Sequence, residues 1–145
     1  MSHRLNGQLA AALFAAALSL PAASLDGLTL GVSGARLRAE VASSPEALTQ
    51  GLMNRTSLCK DCGMLFVYPK PGQWCMWMKN TRIPLAIAFV SDKGRIMAIE
   101  EMEPGSTELH CSTVPVPYGL EASPAWFREH QVKPGDTLQG LPRTR

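Results

Sequence analysis

The densest group of chemically capable side chains lies between residues 74 and 84. This stretch holds two of the three tryptophans, two of the seven methionines and one of the four cysteines. In an extended strand, Trp77, Lys79 and Thr81 would share one face, because successive side chains alternate, while Asn80 would lie on the other face. An indole, an ammonium and a hydroxyl group in a row suit an anionic or sugar-like ligand. We therefore predict a ligand-binding face on this strand.

Two charged residues elsewhere in the chain are candidates for the same site. Glu121 lies on a predicted strand whose other residues are apolar or small, and its carboxylate could pair with Lys79 or Arg55. The candidate ligand-binding set is Trp77, Lys79, Asn80, Thr81, Arg55 and Glu121. A structural interpretation is also open, in which Lys79 is solvated, Asn80 makes a turn and Trp77 packs in the core.

No catalytic residue can be assigned from the sequence. Ser106, His110, Ser112 and Thr113 are neighbours in the chain, but a triad is defined by geometry and not by closeness in sequence. The glutamates between residues 100 and 108 resemble a solvated acidic loop, so no acid pair for glycoside cleavage can be selected from them. Whether the protein is an enzyme stays open.

The four cysteines indicate two disulfide bonds if the protein is exported. Thiols outside the cytoplasm tend to be oxidised, and four cysteines allow three pairings. We predict the pairs Cys59–Cys62 and Cys75–Cys111. The second bond would hold the polar loop of residues 101–114 across the central strand.

Three other uses of the sulfur-containing residues remain possible. A redox-active Cys59-x-x-Cys62 motif should open a helix, whose dipole lowers the thiol pKa, but Gly63 and a strand pattern follow it. Zinc would need four ligands, which the cysteines and His110 could supply. Met76 and Met78 beside a cysteine would suit Cu(I). We predict no metal site and no cofactor, and keep a copper or zinc carrier as an alternative function.

The first 24 residues have the layout of a secretory signal peptide. Arg4 precedes an apolar run of about a dozen residues, which is short for a membrane span, and Pro21 to Ser24 then supply a helix breaker and small residues. We therefore predict cleavage near residues 21–25 and a single domain over residues 25–145, without a transmembrane segment after cleavage. The expected location is the periplasm or the extracellular medium.

The charge of the mature chain argues against nucleic-acid binding. The predicted leader contains one of the fourteen basic residues, so thirteen remain against twelve acidic ones. A nearly neutral domain lacks the basic surface that binds phosphate backbones. We expect a monomer whose partner is a small molecule or an envelope protein.

The elements that must position these residues are mostly short strands. Apolar alternation and turn residues predict strands at residues 28–32, 35–42, 63–68, 73–80, 85–90, 95–100, 115–122 and 137–141. Ser44-Pro45 and Ser123-Pro124 each predict a helix start, since serine caps and proline suits the first helical position. We therefore predict a mostly β (α+β) domain with two short helices. The expected architecture is a small antiparallel barrel or a strongly curled sheet.

Several motifs resemble family 192 of the domains of unknown function (DUF192). They are Gly51-Leu52-Met53-Asn54-Arg55, Gly63-Met64-Leu65-Phe66, the run from Trp77 to Leu85, Leu120-Glu121 and Gly135-Asp136. The resemblance covers residues 35–140 and implies a compact β-rich domain, often exported or membrane-tethered, in bacteria and archaea. It implies no reaction, and it does not extend to the Cys59–Cys62 loop.

The leading functional prediction is an exported, non-catalytic binding module of the cell envelope. The alternative is a hydrolase acting on cell-envelope material through Lys79, Asn80, Thr81 and Glu121. A deep pocket that joins those four side chains would favour the enzyme.

Overall fold

The computed structural model describes residues 27–143, and the predicted leader lies outside the described residues. The described part forms eight strands and two short helices. Their bounds are β1 Leu28–Val32, β2 Ala35–Ala42, α1 Pro45–Gln50, β3 Cys62–Gly72, β4 Cys75–Met76, β5 Leu85–Val90, β6 Ile96–Met102, β7 His110–Cys111, β8 Val116–Ala122 and α2 Pro124–Glu129. The predicted mostly β class with two short helices is confirmed.

Six of the strands form one mixed sheet in the order β1-β2-β3-β8-β5-β6. Every neighbouring pair is antiparallel except β2 and β3, which are parallel. A parallel pair needs a long crossover, and α1 with the cysteine loop supplies it. No closed barrel is found within residues 27–143, and the strong curl stays a prediction. The strand predicted at residues 137–141 is reduced to isolated bridges of Thr137 with Arg95 and Gln139 with Gly31.

Local sequence signals explain the first hairpin and both helices. Ser33 and Gly34 join β1 to β2 with φ angles of 51° and 79°, the two positive angles that a tight hairpin turn favours. The backbone N–H of Ala47 donates to Ser44 Oγ at 3.1 Å, which caps α1. The helix ends after six residues at Gly51, whose φ of 46° suits glycine.

The sequence predicts that the third strand ends at Tyr68, before two prolines, but β3 does not end there. The strand continues to Gly72, but its pairing with β8 shifts register between Val67 and Gly72. Proline cannot donate a ladder hydrogen bond, so a strand tolerates it where the pairing is interrupted.

The strand predicted at residues 73–80 is wrong for most of its length. Only Cys75–Met76 (β4) is extended in a ladder, and it pairs with β7 in a separate two-stranded sheet. The chain then turns at Asn80, whose φ is 55°, and the N–H of Thr81 donates to Met78 O at 3.0 Å. Asparagine adopts this left-handed conformation more easily than most residues. The predicted alternation of faces therefore fails after Trp77.

Two apolar clusters are built on the described elements. The first, which we call the α2 core, includes Leu120 of β8 together with Trp126 and Phe127 of α2. The second, which we call the α1 core, includes Leu52, Phe66 and Met78, with side chains of α1 packed against it.

Candidate functional site

A cavity of about 220 Å³ opens beside the α1 core, and we call it the α1 cavity. Its wall consists of residues 48–53, from α1 and the following turn, together with Phe66, Cys75, Met76, Trp77, Thr81 and Glu121. Polar and apolar groups share its accessible lining about equally, and the polar side chains belong to different parts of the chain. A concave site where polar groups converge beside apolar ones is a candidate for small-molecule binding.

Glu121 occupies the centre of the sheet and reaches the cavity. It lies on β8 opposite Met64 of β3 and Ile87 of β5, and only 3% of its surface is exposed. No Lys, Arg or His side chain lies within 4.0 Å of its carboxylate among residues 27–143. Burial raises the pKa of Glu121 to about 8, because an apolar environment disfavours the charged form. The side chain is therefore mostly a neutral carboxylic acid at pH 7.

Tyr68 lies close to Glu121 and supports the β4 segment. Burial raises the pKa of its phenol, and the negative charge of an ionised Glu121 carboxylate raises this pKa further. The hydroxyl of Tyr68 contacts Met76 Sδ at 3.3 Å, and its ring stacks on Trp74 with centroids 4.6 Å apart. A Cβ atom on Gly119 would lie 3.0 Å from Tyr68 Oη, so the absence of a side chain there makes room for the tyrosine.

Thr81 and Trp77 supply the other polar and aromatic groups of the cavity. Thr81 is 5% exposed, and its Oγ1 donates to Lys79 O at 3.2 Å, which leaves the oxygen free to accept a hydrogen bond. Trp77 is 42% exposed, and Lys79 Nζ lies 5.3 Å from its ring centroid. The aromatic ring thus lies between a cavity and a positive charge.

The cavity brings together three of the six predicted site residues, namely Trp77, Thr81 and Glu121. Lys79 contacts Trp77 but does not line the cavity, and Asn80 is exposed in the turn. Arg55 pairs with Glu40 instead of Glu121, through two hydrogen bonds of 2.9 and 2.6 Å. The hydrogen bonds from Arg55 hold the pKa of Glu40 below its usual range.

Sequence reasoning about chemistry missed the apolar wall of the cavity. Leu52, Met53 and Phe66 carry no reactive group, so they were not selected as site residues. They nevertheless lie in two of the motifs on which the family resemblance depends. Those motifs were the available signal, because apolar residues in a motif can line a site as well as fill a core.

Both predicted cysteine pairs lie at disulfide distance. The Cα atoms of Cys59 and Cys62 are 5.1 Å apart, and those of Cys75 and Cys111 are 4.0 Å apart. The second pair joins β4 to β7, so the predicted irregular loop of residues 101–114 contains a short strand at this bond. Cys75 therefore fixes one wall of the α1 cavity.

The described residues give no further indication of a metal or membrane site. Within residues 27–143, no group of three or more His, Cys, Asp or Glu side chains could hold a metal ion. No helix in the same range is long and apolar enough to cross a bilayer.

Comparison with known proteins places the chain among uncharacterised relatives. The sequence model of DUF192, described as "Uncharacterized ACR", matches residues 28–140. A protein of unknown function from Novosphingobium aromaticivorans DSM 12444 has a similar crystal structure, with a TM-score of 0.76 and 32% identity over 92% of this chain and 99% of that chain.

A second similar crystal structure is that of a protein from Sinorhizobium meliloti 1021, described as a "putative transcription regulator". Its TM-score is 0.75, with 36% identity over 78% of this chain and 92% of that chain. Comparison with curated proteins gives no match.

Proposed function

We propose that the protein, which belongs to the DUF192 family, is an exported module that binds a small molecule in the α1 cavity. The family is described only as uncharacterised, so the proposal is based on the cavity of this chain. The observation that carries this proposal is the burial of Glu121 inside that cavity. A buried carboxyl group without a charged partner costs folding free energy. Strongly shifted acids in clefts are candidates for functional groups.

The size and lining of the cavity support a small ligand. A volume of about 220 Å³ equals roughly seven water molecules at about 30 Å³ each. Leu52, Met53 and Phe66 offer an apolar surface, while Thr81 and Glu121 offer hydrogen bonds at fixed positions. Such a site orients a ligand through its polar groups and gains affinity from the apolar contacts.

Binding has more support than hydrolysis. The hydrolase alternative requires Lys79 and Asn80 in one pocket with Thr81 and Glu121, but the first two are outside the cavity lining. A glycosidase uses two carboxyl groups, and Glu121 is the one acidic residue in the lining. Thr81 Oγ1 donates to a backbone carbonyl and not to a general base.

The cysteine chemistry supports export to the periplasm or the extracellular medium. Both cysteine pairs lie at disulfide distance, and disulfides persist in oxidising compartments. In this state the four sulfur atoms are not thiolates, so they do not supply the ligands of a zinc or copper carrier.

A fragment screen by NMR on the folded domain tests the proposed function. Fragments that bind in the cavity will shift the amide signals of Thr81 and Trp77. The variant Leu48→Trp adds an indole to the cavity wall and is expected to remove these shifts. The control Met97→Trp adds the same group at an exposed position of β6 outside the lining and should leave them. Equal binding by both variants would contradict a site in the α1 cavity.

A further inference from the structure

We infer that the ligand group held by Glu121 is uncharged and carries a hydrogen-bond donor beside an acceptor, as a primary amide does; this inference rests on the proposed binding function. The first reason is the charge of the cavity wall. Apart from Glu121, the lining contains no acidic or basic side chain. An ion taken out of water into this cavity would lack a compensating charge, which is costly.

The groups around Glu121 do not change this conclusion. On β3, Tyr68 is the titratable side chain that faces it, and its phenol is neutral because its pKa is raised by burial. On β5, the residue opposite is Ile87. From the segment after β4, Thr81 and Trp77 approach without charge. Residues 48–53 also contribute no charge, since their side chains are apolar apart from the Thr49 hydroxyl and the Gln50 amide.

A positive charge lies beside Trp77, which lines the cavity and whose exposed ring we call its aromatic rim. Lys79 Nζ is 5.3 Å from the Trp77 ring centroid, the range at which an ammonium ion is attracted by the ring. A cationic ligand would meet this positive charge and compete with it for the same ring. An anionic ligand would be attracted to the rim but would find no basic side chain in the wall. Both kinds of ion are therefore disfavoured relative to a neutral compound.

The hydrogen-bonding groups of the wall define the chemistry that fits. A neutral carboxylic acid presents an O–H donor next to a C=O acceptor. A primary amide presents the complementary pair and can form two parallel hydrogen bonds with it. Thr81 adds an acceptor, since its own hydrogen is donated to Lys79 O. Apolar residues of the lining, such as Met53 and Trp77, offer contacts to an apolar part of the ligand.

Three probes of nearly equal shape separate the possibilities: benzamide, the benzylammonium ion and benzoate. Each combines an apolar ring with a neutral, positive or negative head. NMR titration should give the lowest Kd for benzamide at neutral pH. Above the pKa of Glu121, the binding of benzamide should weaken about tenfold per pH unit, because the deprotonated carboxylate no longer donates a hydrogen bond.

Two variants test the role of the acid itself. Glu121→Gln keeps a neutral donor and acceptor, so it should retain benzamide binding and remove the pH dependence. Glu121→Leu removes both groups and should raise the Kd of benzamide by about tenfold or more, as expected for losing hydrogen bonds to a buried ligand.

The outcomes distinguish this inference from the proposed function. Tightest binding of benzylammonium, strengthening as the pH rises toward the pKa of Glu121, would overturn the neutral ligand class and leave a binding cavity. Tightest binding of benzoate would do the same. If no probe shifts the signals of Thr81 or Trp77, both the inference and the proposed binding function are wrong.

Discussion

The α2 core and the α1 core are built on the same sheet but differ in the side chains that the sheet and its helices bury there. Strand β8 contributes Tyr118, Leu120 and Ala122 to the α2 core. Glu121 lies between Leu120 and Ala122 in the alternation, so it points toward the α1 cavity. One strand thus supplies buried apolar side chains on one face and a buried acid on the other.

The two helices show the same contrast. Both have six residues, a serine cap and a proline in the first turn. Helix α2 buries Pro124, Trp126 and Phe127, whereas α1 buries none of its residues. Residues 48–50 of α1 line the α1 cavity instead. We therefore expect the α2 core to contribute more to stability than the α1 core, beside which the proposed ligand site lies.

The composition of the two cores agrees with this division. The α1 core contains three buried methionines, Met64, Met78 and Met102, and the α2 core contains none. Methionine is flexible and polarizable, so it adapts to irregular space and to ligands. Branched and aromatic side chains, which dominate the α2 core, specify one packing arrangement.

The largest loss of stability is expected for a substitution in the α2 core. Leu120→Ala should lower the free energy of unfolding by about 3–4 kcal/mol, because it removes buried methyl groups and leaves a void in close packing. The matched change Leu52→Ala should cost less, about 2 kcal/mol, since this side chain already borders the α1 cavity. Urea unfolding of both variants measures the difference. Equal losses would mean that the two cores are packed equally well.

The next largest loss of stability is expected on removal of the disulfide that joins Cys75, in the wall of the α1 cavity, to Cys111. Replacing Cys75 and Cys111 by alanine should cost about 3–4 kcal/mol, since the bond closes a loop of sequence separation 36. The matched pair of alanines at Cys59 and Cys62 removes a separation of 3 and should cost about half as much. Thermal and urea unfolding of the two double variants compares them. A larger loss at Cys59 and Cys62 would contradict the loop-length argument.

A pH series isolates the cost of Glu121. Its pKa is raised from 4.5 to about 8, so the folded protein holds this proton more tightly than the unfolded chain. The stability contribution is therefore greatest below pH 4.5 and is lost progressively as the pH rises to about 8. Between pH 4.5 and 7 the loss should be about 3 kcal/mol.

The variant Glu121→Gln serves as the control for that series, because its amide does not titrate. The difference in unfolding free energy between the two proteins should change across this pH range in favour of the variant. A constant difference from pH 4.5 to 7 would mean that Glu121 is ionised and compensated in the folded protein.

Much of the fold could be predicted because its signals are local. The bounds of β1, β2 and β5 follow from apolar alternation between turn residues, and both helix starts follow from a serine before a proline. The features that were not predicted depend on tertiary contacts between segments that are distant in sequence. The pairing of β2 with β3 depends on where the crossover returns, and the ending of β4 depends on a turn at Asn80 and a partner, β7, that is distant in sequence.

The candidate site divides in the same way. Glu121 could be selected because a charged residue stands out in an apolar strand, and Trp77 and Thr81 because polar groups are concentrated around them. Lys79 and Asn80 belong to the predicted site only if side chains alternate along a strand at residues 73–80, and the turn interrupts that strand. Arg55 could not be excluded from sequence, since its partner Glu40 lies on another element. The side chains of residues 48–53 enter the wall through the tertiary placement of α1 and the following turn, which local sequence patterns do not specify.

The smallest expected effect distinguishes the rim of the α1 cavity from its wall. Lys79→Ala should change the free energy of unfolding by less than about 0.5–1 kcal/mol, because an exposed ammonium over an indole contributes no more than this. The control Lys93→Ala, in the exposed turn before β6, should have a similarly small effect. Thermal unfolding of both variants is the measurement. A large loss of stability for Lys79→Ala alone would mean that the lysine holds Trp77 in place and that the rim is part of the structural core. If stability is unchanged while benzylammonium binds more tightly to the Lys79→Ala variant, the lysine acts on ligands through its charge. The α1 side of the sheet would then be shown to select ligands at its entrance as well as at Glu121.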